Sequence, residues 1–335
     1  MMEYDEFRVC RVKPHLLIIT LSNLGDVMMT TPVIMALATR FPAARLTVLV
    51  GPKASALLEK TPCIDRIVVY DKKADWSAKW RLLRELRQDP YDCVVDLRHT
   101  PIPYLLPCTR RSPLFRRFRK TNMRERHWEI LDMMGFDLPS PPIFQFFDAA
   151  DVRSSLEKLR IKGILETSGW IVAAPGAASK QKRWPIESFQ EVLSKLAIRT
   201  ARPILLVGAP NEWPIAEAVA RGLPGVVAVV LCGETTINET AALLARAALV
   251  LANDSAIMHL GFELDIPTVG IFGPTDHEKY GHVGARFRIA REDATRCSCN
   301  AQRISYHERN CFHGLQAEKV LGLCWELLSE SGNVG

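Results

Sequence analysis

The sequence predicts an α/β protein with a parallel sheet in each of its two halves. Short apolar runs, typical of buried strands, alternate with longer segments of helical periodicity, and this alternation favours parallel strands joined by helices. Glycines follow several of the predicted strands, where they let the backbone approach a ligand closely. The chain has 335 residues, 48% of them hydrophobic, so it is long enough for two domains that each bury a core.

The first half of the chain reads as alternating strands and helices, followed by a less regular stretch. A proline-rich, basic segment lies between residues 101 and 147, and we predict one helix within it. We place the end of the first domain at residue 160, so that this domain spans residues 1–160. Its predicted strands are 16–21, 45–50, 67–70 and 92–96, and its predicted helices are 31–40, 55–58, 77–87, 127–134 and 151–160.

The second half repeats this pattern. We expect a second domain at residues 161–314 and a C-terminal helical segment at 315–335. The predicted strands are 170–174, 203–207, 226–231, 249–252 and 268–272, and the predicted helices are 186–196, 214–222, 237–245, one that begins at residue 255, and 316–329. Two such halves form a natural site for two substrates, because ligand sites favour domain interfaces.

The charge and the cysteine content exclude several classes of protein. The formal net charge of +6 is too weak for a dedicated nucleic-acid binder, although it suits phosphate-bearing substrates or an anionic surface. No run of about 18 apolar residues is present to span a bilayer. Residues 1–13 are mixed in charge and do not read as a signal peptide. Nine cysteines, an odd number, predict reduced thiols in a cytoplasmic protein, one that can lie on the inner face of a membrane.

Asp26 is the candidate catalytic residue of the first half. It follows the first predicted strand and Gly25, at the point where a helix-like segment begins. In an open parallel sheet the ligand crevice lies beyond the carboxyl ends of the strands, so a carboxylate in the first strand-to-helix turn faces the ligand. A second interpretation is equally open at this point, because aspartate is also a common N-cap of helices.

The segment 174–185 is a candidate phosphate-binding loop. Three small residues, Gly176, Ala177 and Ala178, follow a predicted strand, and Lys182 can supply a positive charge to a phosphate. A solvent-exposed basic loop is the alternative interpretation. The strand before the loop and the proline-initiated helix after it favour a ligand site.

A second candidate site lies at residues 252–259, where a strand is followed by polar residues and a helix. The first amides of that helix, on Ser255 and Ala256, would be free to bind an anion. Asp254 is better suited to sugar hydroxyls than to a diphosphate, and its alternative role is an N-cap. His259 lies one turn into the helix, where a lone histidine is more often structural than catalytic.

Further strand exits add candidate residues, and two missing motifs weaken the case for two classes of enzyme. Gly208 and Glu212 follow the second strand of the second half, and residues 272–276 form a tight exit after a later strand. Neither Gly-x-Gly-x-x-Gly after a strand nor Gly-x-x-x-x-Gly-Lys-Ser/Thr occurs. Their absence argues against a dinucleotide-dependent dehydrogenase and against a P-loop nucleotide hydrolase.

As a set, these motifs resemble glycosyltransferase family 9, the lipopolysaccharide heptosyltransferases and their relatives. The resemblance rests on Leu-Gly-Asp-Val at 24–27 with Thr-Pro at 31–32, Pro-Gly at 175–176 with Lys-Arg-Trp-Pro at 182–185, Asn-Asp-Ser at 253–255 with His259, and Phe-Gly-Pro-Thr at 272–275. Each motif is short, but their order and spacing over residues 15–285 are specific in combination.

The resemblance implies the GT-B fold: two Rossmann-like domains that face across a cleft, with the acceptor on the first, the nucleotide-sugar on the second and the C-terminal helix packed back onto the first. It implies an inverting transfer without metal or cofactor, from ADP-L-glycero-D-manno-heptose or a related nucleotide-sugar to a hydroxyl of a lipopolysaccharide core acceptor of the Kdo-lipid A type. By matching positions, Asp26 would be the general base and Lys182 the phosphate contact. The donor pocket would contain Asp254, Ser255, Ala256 and His259, and the residues assigned to it with them are Gly176, Ala177, Ala178, Gly208 and Glu212.

The chain departs from the family's pattern at two places. Alanines stand at 177 and 178, where heptosyltransferases often carry hydroxyl residues, and Ser255-Ala256 stands where they often carry Thr-Gly. These departures leave the donor sugar open. The chemistry of a one-step displacement agrees with the assignment, because a carboxylate such as Asp26 accepts the acceptor's proton while a cation such as Lys182 stabilises the leaving diphosphate.

The basic run at residues 110–126 is the candidate acceptor contact. It contains eight arginines and lysines and one acid, Glu125. A phosphorylated, acidic glycolipid at a membrane face would be bound there. A solvated loop is the alternative, and nucleic-acid binding is a weaker use of the same charges. The residues assigned to the acceptor are Asn23, Arg116, Arg117, Arg119 and Lys120.

Alternatives stay open for metal binding and for function. A zinc site could be formed by Cys297, Cys299, Cys311 and His313, but Cys-x-Cys is not the usual spacing of a zinc knuckle and we expect no metal. The sequence is also compatible with a non-catalytic protein that binds nucleotide-sugars or lipid glycans, with a transferase of the same family that uses another sugar, and with a GT-B-like sugar-nucleotide epimerase.

Overall fold

The computed structural model describes residues 13–138, 140–165, 167–282, 284–293, 311–330 and 332. Contacts divide the chain into two units, one that ends at Phe146 and one that begins at Phe147. Each unit has one parallel sheet with helices, as the sequence predicts. No helix within the described residues is both long enough and apolar enough to cross a membrane.

The first unit is built on a five-stranded parallel sheet. Its strands are β1 (His15–Ile19), β2 (Arg45–Val50), β3 (Arg66–Val69), β4 (Tyr91–Asp96) and β5 (Cys108–Arg111). Its helices are α1 (Leu24–Met28), α2 (Thr31–Arg40), α3 (Ser55–Leu58), α4 (Trp76–Leu86), α5 (Ile102–Leu105) and α6 (Met123–Met133). The strands lie in the order β3-β2-β1-β4-β5, so β1 is central and lies next to β4.

The centre of this sheet is buried on both faces. All five residues of β1 and all six residues of β4 are buried, which is the pattern of parallel strands covered by helices. Ile19 pairs with Leu49 of β2 on one side and with Asp96 of β4 on the other. The carboxyl ends of β1 and β4 therefore meet at one edge, at the point where the strand order reverses.

The second unit is built on a six-stranded parallel sheet. Its strands are β6 (Ile171–Ala174), β7 (Ile204–Leu206), β8 (Ala228–Val230), β9 (Leu249–Asn253), β10 (Thr268–Phe272) and β11 (Phe287–Arg291). Its α-helices are α7 (Ala149–Ile161), α8 (Ile186–Thr200), α9 (Trp213–Arg221), α10 (Ile237–Leu244), α11 (Ala256–Glu263), α12 (His277–Tyr280) and α13 (Ala317–Glu330), and its 3-10 helices are Lys180–Lys182 and Pro210–Glu212. The strand order is β11-β10-β9-β6-β7-β8.

The last helix, α13, belongs to the core of the second unit. Its buried face consists of Val320, Cys324, Leu327 and Leu328, which lie in the same hydrophobic cluster as Trp184. The family resemblance implies that this helix packs on the first domain, which stays a prediction; the described contacts of its apolar face lie with α8 and with β9, β10 and β11. The physical reason is that these strands are apolar and need a covering helix on that face of the sheet.

Helix α7 also belongs to the second unit, so the division after Phe146 differs from the boundary predicted at residue 160. α7 packs against α10. Glu239 of α10 accepts hydrogen bonds from Ser154 Oγ at 2.5 Å and from Lys158 Nζ at 2.6 Å. The partner of α7 thus lies about 80 residues further along the chain, where a change in local composition cannot indicate it.

Two strands and two short helices are absent from the prediction: β5, β11, α5 and α12. Both strands carry arginines, which interrupt the apolar pattern. In β5, the guanidinium of Arg110 lies 4.2 Å from the ring centre of Phe136, and that of Arg111 lies 5.3 Å from the ring centre of Tyr104. In β11, Arg288 pairs with two glutamates of α13. Such partners make charged residues compatible with a strand, but they are distant in sequence.

Candidate functional site

The first candidate site lies at the carboxyl edge of the second sheet, where the strand order reverses. β6 has β7 on one side and β9 on the other. The chain segments that follow β6 and β9 therefore cover opposite faces of the sheet, and a crevice forms between them. The loop at residues 175–183 and the turn at residues 254–255 follow these two strands.

A salt bridge joins these two segments. Lys182 is the last residue of the first 3-10 helix, and its Nζ lies 2.7 Å from Oδ2 of Asp254. The side chain of Asp254 is 5% exposed and that of Lys182 is 24% exposed. The buried carboxylate therefore holds the ammonium at the crevice, while part of the ammonium stays accessible. The sequence assigns both residues to the donor but does not pair them.

Asn253 connects the same two segments through its side-chain amide. Its Nδ2 donates to the carbonyl of Pro175 at 2.8 Å, and its Oδ1 accepts from the backbone N–H of Trp184 at 3.1 Å. The residue is fully buried. Its role was not predicted from the sequence, although its place directly after a buried strand is a usable signal for such a residue.

The N-terminus of α11 carries unused polar groups at this edge. Ser255 is the N-cap residue, but its hydroxyl makes no capping hydrogen bond, and within the described chain its buried Oγ has no hydrogen-bond partner. The N-cap role considered for Asp254 is wrong, because Asp254 precedes the N-cap and its carboxylate bonds Lys182. Ala256 begins the helix, so the amides of the first turn lack intrahelical partners.

His259 is packed in the interior, one turn into α11. It is 5% exposed, and its ring centre lies 6.5 Å from that of Phe262 and 6.1 Å from that of His282. Its backbone N–H donates to the carbonyl of Ser255. The position in the helix is the predicted one, and the ring contacts are those of a structural residue.

Glu212 lies against two of the glycine turns. Its Oε2 accepts a hydrogen bond from the N–H of Ala209 at 2.8 Å. A Cβ atom on Gly208 would lie 2.6 Å from Oε2, and one on Gly176 would lie 2.5 Å from Oε1. The turns after β6 and β7 thus approach this carboxylate more closely than any side chain would allow. The structure brings together three of the residues assigned to the donor.

The rest of the loop after β6 is braced from within. Ala177 is buried and Ala178 is exposed. The carbonyl of Ala177 accepts two hydrogen bonds from Arg183, from Nε at 3.1 Å and from Nη2 at 2.9 Å. The solvent-exposed basic loop considered above is therefore wrong for this Lys-Arg pair, since Lys182 bonds Asp254 and Arg183 bonds its own loop.

Two further hydroxyl groups lie in strand exits of the second unit and are not assigned by the sequence. Ser179 Oγ and Thr275 Oγ1 are buried and have no hydrogen-bond partner among the residues that the structure describes. The exit after β10 lies against the loop after β6, because a Cβ atom on Gly273 would be 2.9 Å from the carbonyl oxygen of Gln181. Buried hydroxyls without partners are available to a polar ligand.

The second candidate site lies in the first unit, around Asp26. This residue is in the first turn of α1, and its Oδ2 accepts a hydrogen bond from Nδ2 of Asn23 at 2.8 Å. Asn23 is the N-cap residue, and its side chain makes no capping bond. Asp26 therefore does not cap the helix, and its half-buried carboxylate lies near the helix N-terminus, where the dipole favours negative charge.

His127 of α6 is close enough to Asp26 to be influenced by its charge, and it was not predicted as a site residue. It is 2% exposed, and its Nδ1 lies 3.2 Å from the carbonyl oxygen of Met29. Burial lowers the pKa of His127 to about 4, and the bond to Met29 and the charge of Asp26 oppose only part of this shift. The ring is therefore neutral at pH 7, with Nδ1 donating to the carbonyl.

Arg116 is buried, in contrast to the surface role that the sequence predicts. Its side chain is 3% exposed, and its Nη2 lies 3.8 Å from Oδ2 of Asp96 at the end of β4. Its guanidinium also donates to the carbonyl of Pro113 and to the hydroxyl of Ser112. Burial lowers the pKa of Arg116, and the Asp96 carboxylate opposes that shift. Arg116 is thus held inside the first unit, where hydrogen bonds satisfy its donors.

The other residues of the basic run lie at the surface. Arg117, Arg119 and Lys120 are exposed. The carboxylate of Glu129 accepts hydrogen bonds from the backbone N–H groups of Arg119 at 3.1 Å and Lys120 at 3.2 Å. The backbone is thereby fixed while the side chains face solvent.

Within the described residues, no group of three or more His, Cys, Asp or Glu side chains is arranged to hold a metal ion. Cys297 and Cys299, two of the four residues considered for zinc, lie outside the described residues. Of the other two, Cys311 is buried and His313 is exposed.

Sequence comparison relates the chain to known transferases. A model of glycosyltransferase family 9 (heptosyltransferase) matches residues 115–309. The chain is 25% identical over 280 residues to lipopolysaccharide heptosyltransferase 3 of Escherichia coli. This alignment covers 76% of this chain and 82% of that protein. It is 23% identical over 274 residues to the lipopolysaccharide core heptosyltransferase OpsX of Haemophilus influenzae. This alignment covers 77% of this chain and 78% of that protein.

Structural comparison shows the fold. The glycosyl transferase family 9 protein from Veillonella parvula superposes with a TM-score of 0.81 at 22% identity, over 96% of this chain and 99% of that one. The ADP-heptose lipopolysaccharide heptosyltransferase II of Escherichia coli gives a TM-score of 0.75 at 18% identity, over 95% and 99% of the two chains. The predicted GT-B fold of two Rossmann-like domains is confirmed.

Proposed function

Since the chain belongs to glycosyltransferase family 9 and is a glycosyltransferase, we propose that it transfers a heptose from a nucleotide-sugar to a lipopolysaccharide core acceptor. The donor is ADP-L-glycero-D-manno-heptose or a related nucleotide-sugar, and the acceptor hydroxyl belongs to a Kdo-lipid A type core. The relatives named above are heptosyltransferases of lipopolysaccharide, which supports this substrate class.

The observation that carries the proposal is the Lys182 ammonium held by Asp254 at the switch point of the second sheet. In the proposed complex this ammonium binds the diphosphate of the donor, together with the amides at the N-terminus of α11. The hydroxyl of Ser255 adds a further donor at the same terminus. Glu212 accepts hydrogen bonds from hydroxyls of the donor, since a carboxylate with one oxygen already bonded to Ala209 keeps acceptor capacity.

The proposed reaction is a one-step displacement with inversion. Asp26 removes the proton from the acceptor hydroxyl, whose oxygen forms a bond to the anomeric carbon of the heptose. The bond from that carbon to the diphosphate breaks, and the nucleoside diphosphate leaves with the electron pair. Lys182 and the α11 amides stabilise the charge that develops on the leaving group, so this mechanism uses no metal ion.

We assign the acceptor to surface residues of the first unit. Asn23 bonds Asp26 and so orients the carboxylate that meets the hydroxyl. Arg117, Arg119 and Lys120 supply exposed positive charge for the phosphates of an acidic glycolipid. Arg116 supports this surface from beneath, since its guanidinium is buried. An acceptor of this kind lies in a membrane, and we propose that the protein works in the cytoplasm at the inner face of that membrane.

The test is mass-resolved product analysis with ADP-heptose and a panel of truncated lipopolysaccharide acceptors. We expect one acceptor to gain the mass of a heptose residue, and NMR of that product should show inverted anomeric configuration. Asp26→Asn should lower kcat by roughly 10²- to 10⁴-fold, the contribution typical of a general base. The Kd for the donor should stay unchanged, and Glu59→Gln, at an exposed position, serves as the control.

The same assay separates the alternative functions. Donor binding without transfer to any acceptor would indicate a non-catalytic binding protein, and donor turnover without an acceptor would indicate an epimerase. Transfer from a different nucleotide-sugar would indicate a family member with another donor. Full turnover by Asp26→Asn would remove Asp26 as the base.

A further inference from the structure

Helix α4 of the first unit presents two tryptophans to solvent. Trp76 is 77% exposed and Trp80 is 61% exposed. They are four residues apart, so their indoles lie on the same face of the helix, one turn from each other. Large apolar side chains uncovered side by side mark an interaction surface more often than chance exposure.

The fold does not need these two indoles. The side of α4 next to this face packs on the core through Leu86, which is 1% exposed, and through the partly buried Leu82; Leu83, one turn after Trp80, is partly buried against the same core. The helix also begins with an N-cap, since the carboxylate of Asp75 accepts a hydrogen bond from the N–H of Ala78 at 2.7 Å. Leucines and the cap therefore account for the stability of α4, and Trp76 and Trp80 are left for another role.

Cations flank the two indoles in the sequence. The segment from residue 72 to residue 87 contains six of them: Lys72, Lys73, Lys79, Arg81, Arg84 and Arg87. Its two acids are already engaged, because Asp75 caps the helix and Glu85 pairs with Arg66. Arg84 and Arg87 follow Trp80 along the same side of the helix. Among the residues that the structure describes, neither forms an ion pair.

We propose that this face of α4 docks onto an anionic lipid bilayer. Trp76 and Trp80 insert at the boundary between headgroups and acyl chains, because an indole combines an apolar ring with a polar N–H. Arg84, Arg87 and the lysines before the helix contact lipid phosphates. Charge complementarity favours this occupant, since a bilayer offers negative charge across the whole cationic surface and needs no matching pocket.

The inference deepens the membrane contact of the proposed function and rests on it for the reason that the protein visits a membrane. It places that contact on α4, separate from the basic run at residues 110–126. Two other partners of this face of α4 would give different results. A second copy of the chain would form a dimer, and an acidic protein would bind in the absence of lipid.

The experiment is flotation of the full chain with vesicles, in the absence of donor and acceptor. Vesicles of phosphatidylethanolamine and phosphatidylglycerol are compared with vesicles of phosphatidylcholine. We expect binding to the anionic vesicles that weakens with salt, and a loss of about tenfold or more in the variant Trp76→Ala/Trp80→Ala. Arg84→Glu/Arg87→Glu should lose binding to the same vesicles. Trp213→Ala, which removes a 43% exposed indole of the second unit, should bind like the unaltered protein.

Two results would overturn the proposal. One is flotation of the double tryptophan variant at the unaltered level. The other is absence of vesicle binding by the unaltered protein. A dimer in sedimentation equilibrium that the tryptophan variant loses would then show that the face binds a second copy of the chain. Thermal melting checks that both double variants are folded, as expected for exposed positions. The vesicle experiment contains no sugar substrate, so a failure of vesicle binding does not contradict the proposed heptosyl transfer. A failure of heptosyl transfer likewise does not contradict the binding of α4 to vesicles.

Discussion

Asp254 and Lys182 are 72 residues apart in the chain, and their side chains meet at 2.7 Å. The carboxylate is almost fully buried and the ammonium is not. A buried carboxylate is costly without a partner, so the pair keeps Lys182 at the crevice even before a ligand binds.

Replacement of Lys182 should affect both the reaction and the fold. Lys182→Ala removes the cation that faces the leaving group, and kcat/KM should fall by roughly 10²- to 10³-fold, as for other electrostatic donors. The melting temperature should fall as well, because Asp254 is left buried without its partner. Lys180→Ala is the matched control, since this exposed lysine lies in the same 3-10 helix. Equal kcat/KM for the two variants would contradict the role of Lys182.

Gly176→Ala should weaken donor binding without unfolding the protein. The added Cβ would meet the carboxylate of Glu212, the mobile end of a side chain, so the carboxylate moves and the backbone does not. Loss of its hydrogen bonds to the donor should raise Kd about tenfold, the equivalent of one hydrogen bond. Calorimetric titration with the donor measures this, and urea unfolding checks stability.

The double variant Gly176→Ala/Glu212→Ala tests whether the two residues act together. It should bind the donor no more weakly than Glu212→Ala alone, because the displaced carboxylate is already absent. Gly322→Ala is the control for a glycine-to-alanine change away from the donor site. Gly322 lies in α13 with no neighbour near its Cβ position, so this change should stabilise the protein by about 0.5–1 kcal/mol. Additive losses in the double variant would show that Gly176 acts independently of Glu212.

His127 should make the protein less stable in mild acid. Burial lowers its pKa from 6.5 to about 4 in the folded state, so the unfolded chain binds a proton at a higher pH than the folded one. The stabilisation is complete above about pH 6.5 and is lost as the pH falls towards about 4, by about 3 kcal/mol in total. Urea unfolding between pH 7 and pH 4 should show this loss, and His127→Gln should lack it. The exposed His313→Gln should keep it.

Helix α7 should be necessary for the stability of the second unit. A fragment of residues 147–335 retains the contact of Lys158 with Glu239, whereas a fragment of residues 162–335 loses this ion pair and uncovers the face of α10 on which α7 packs. The shorter fragment should be less stable by about 3 kcal/mol, since burial of one large apolar side chain such as Leu159 contributes about 1.5–3 kcal/mol. Chemical unfolding of both fragments measures the difference. Equal stabilities would support the boundary at residue 160.

The strand exits could be predicted from the sequence, and the contacts between them could not. Asp26 and Lys182 were found because each follows an apolar run and precedes a helix, which is a local pattern. The pairing of Lys182 with Asp254 depends on β6 and β9 being neighbours, a fact of topology. The burial of Arg116 depends on Asp96, a residue of a different strand exit. Residues that act through distant partners leave no periodic signal.

The burial of α13 in the second unit also depends on partners that are distant in the sequence. The helix itself was predicted from the sequence, and the resemblance to the family indicated a partner for it. Many apolar surfaces can receive the apolar face of a helix, so the choice depends on which sheet lacks cover.

The buried side-chain amide of Asn253 forms hydrogen bonds with both ends of the segment that runs from Pro175 to Trp184. The conformational entropy of that segment is therefore lost when the protein folds and not when a nucleotide arrives. A donor meets a loop that is already in place. The rate at which it associates is then governed by diffusion and by the charge of the crevice, and no slow loop ordering limits the encounter.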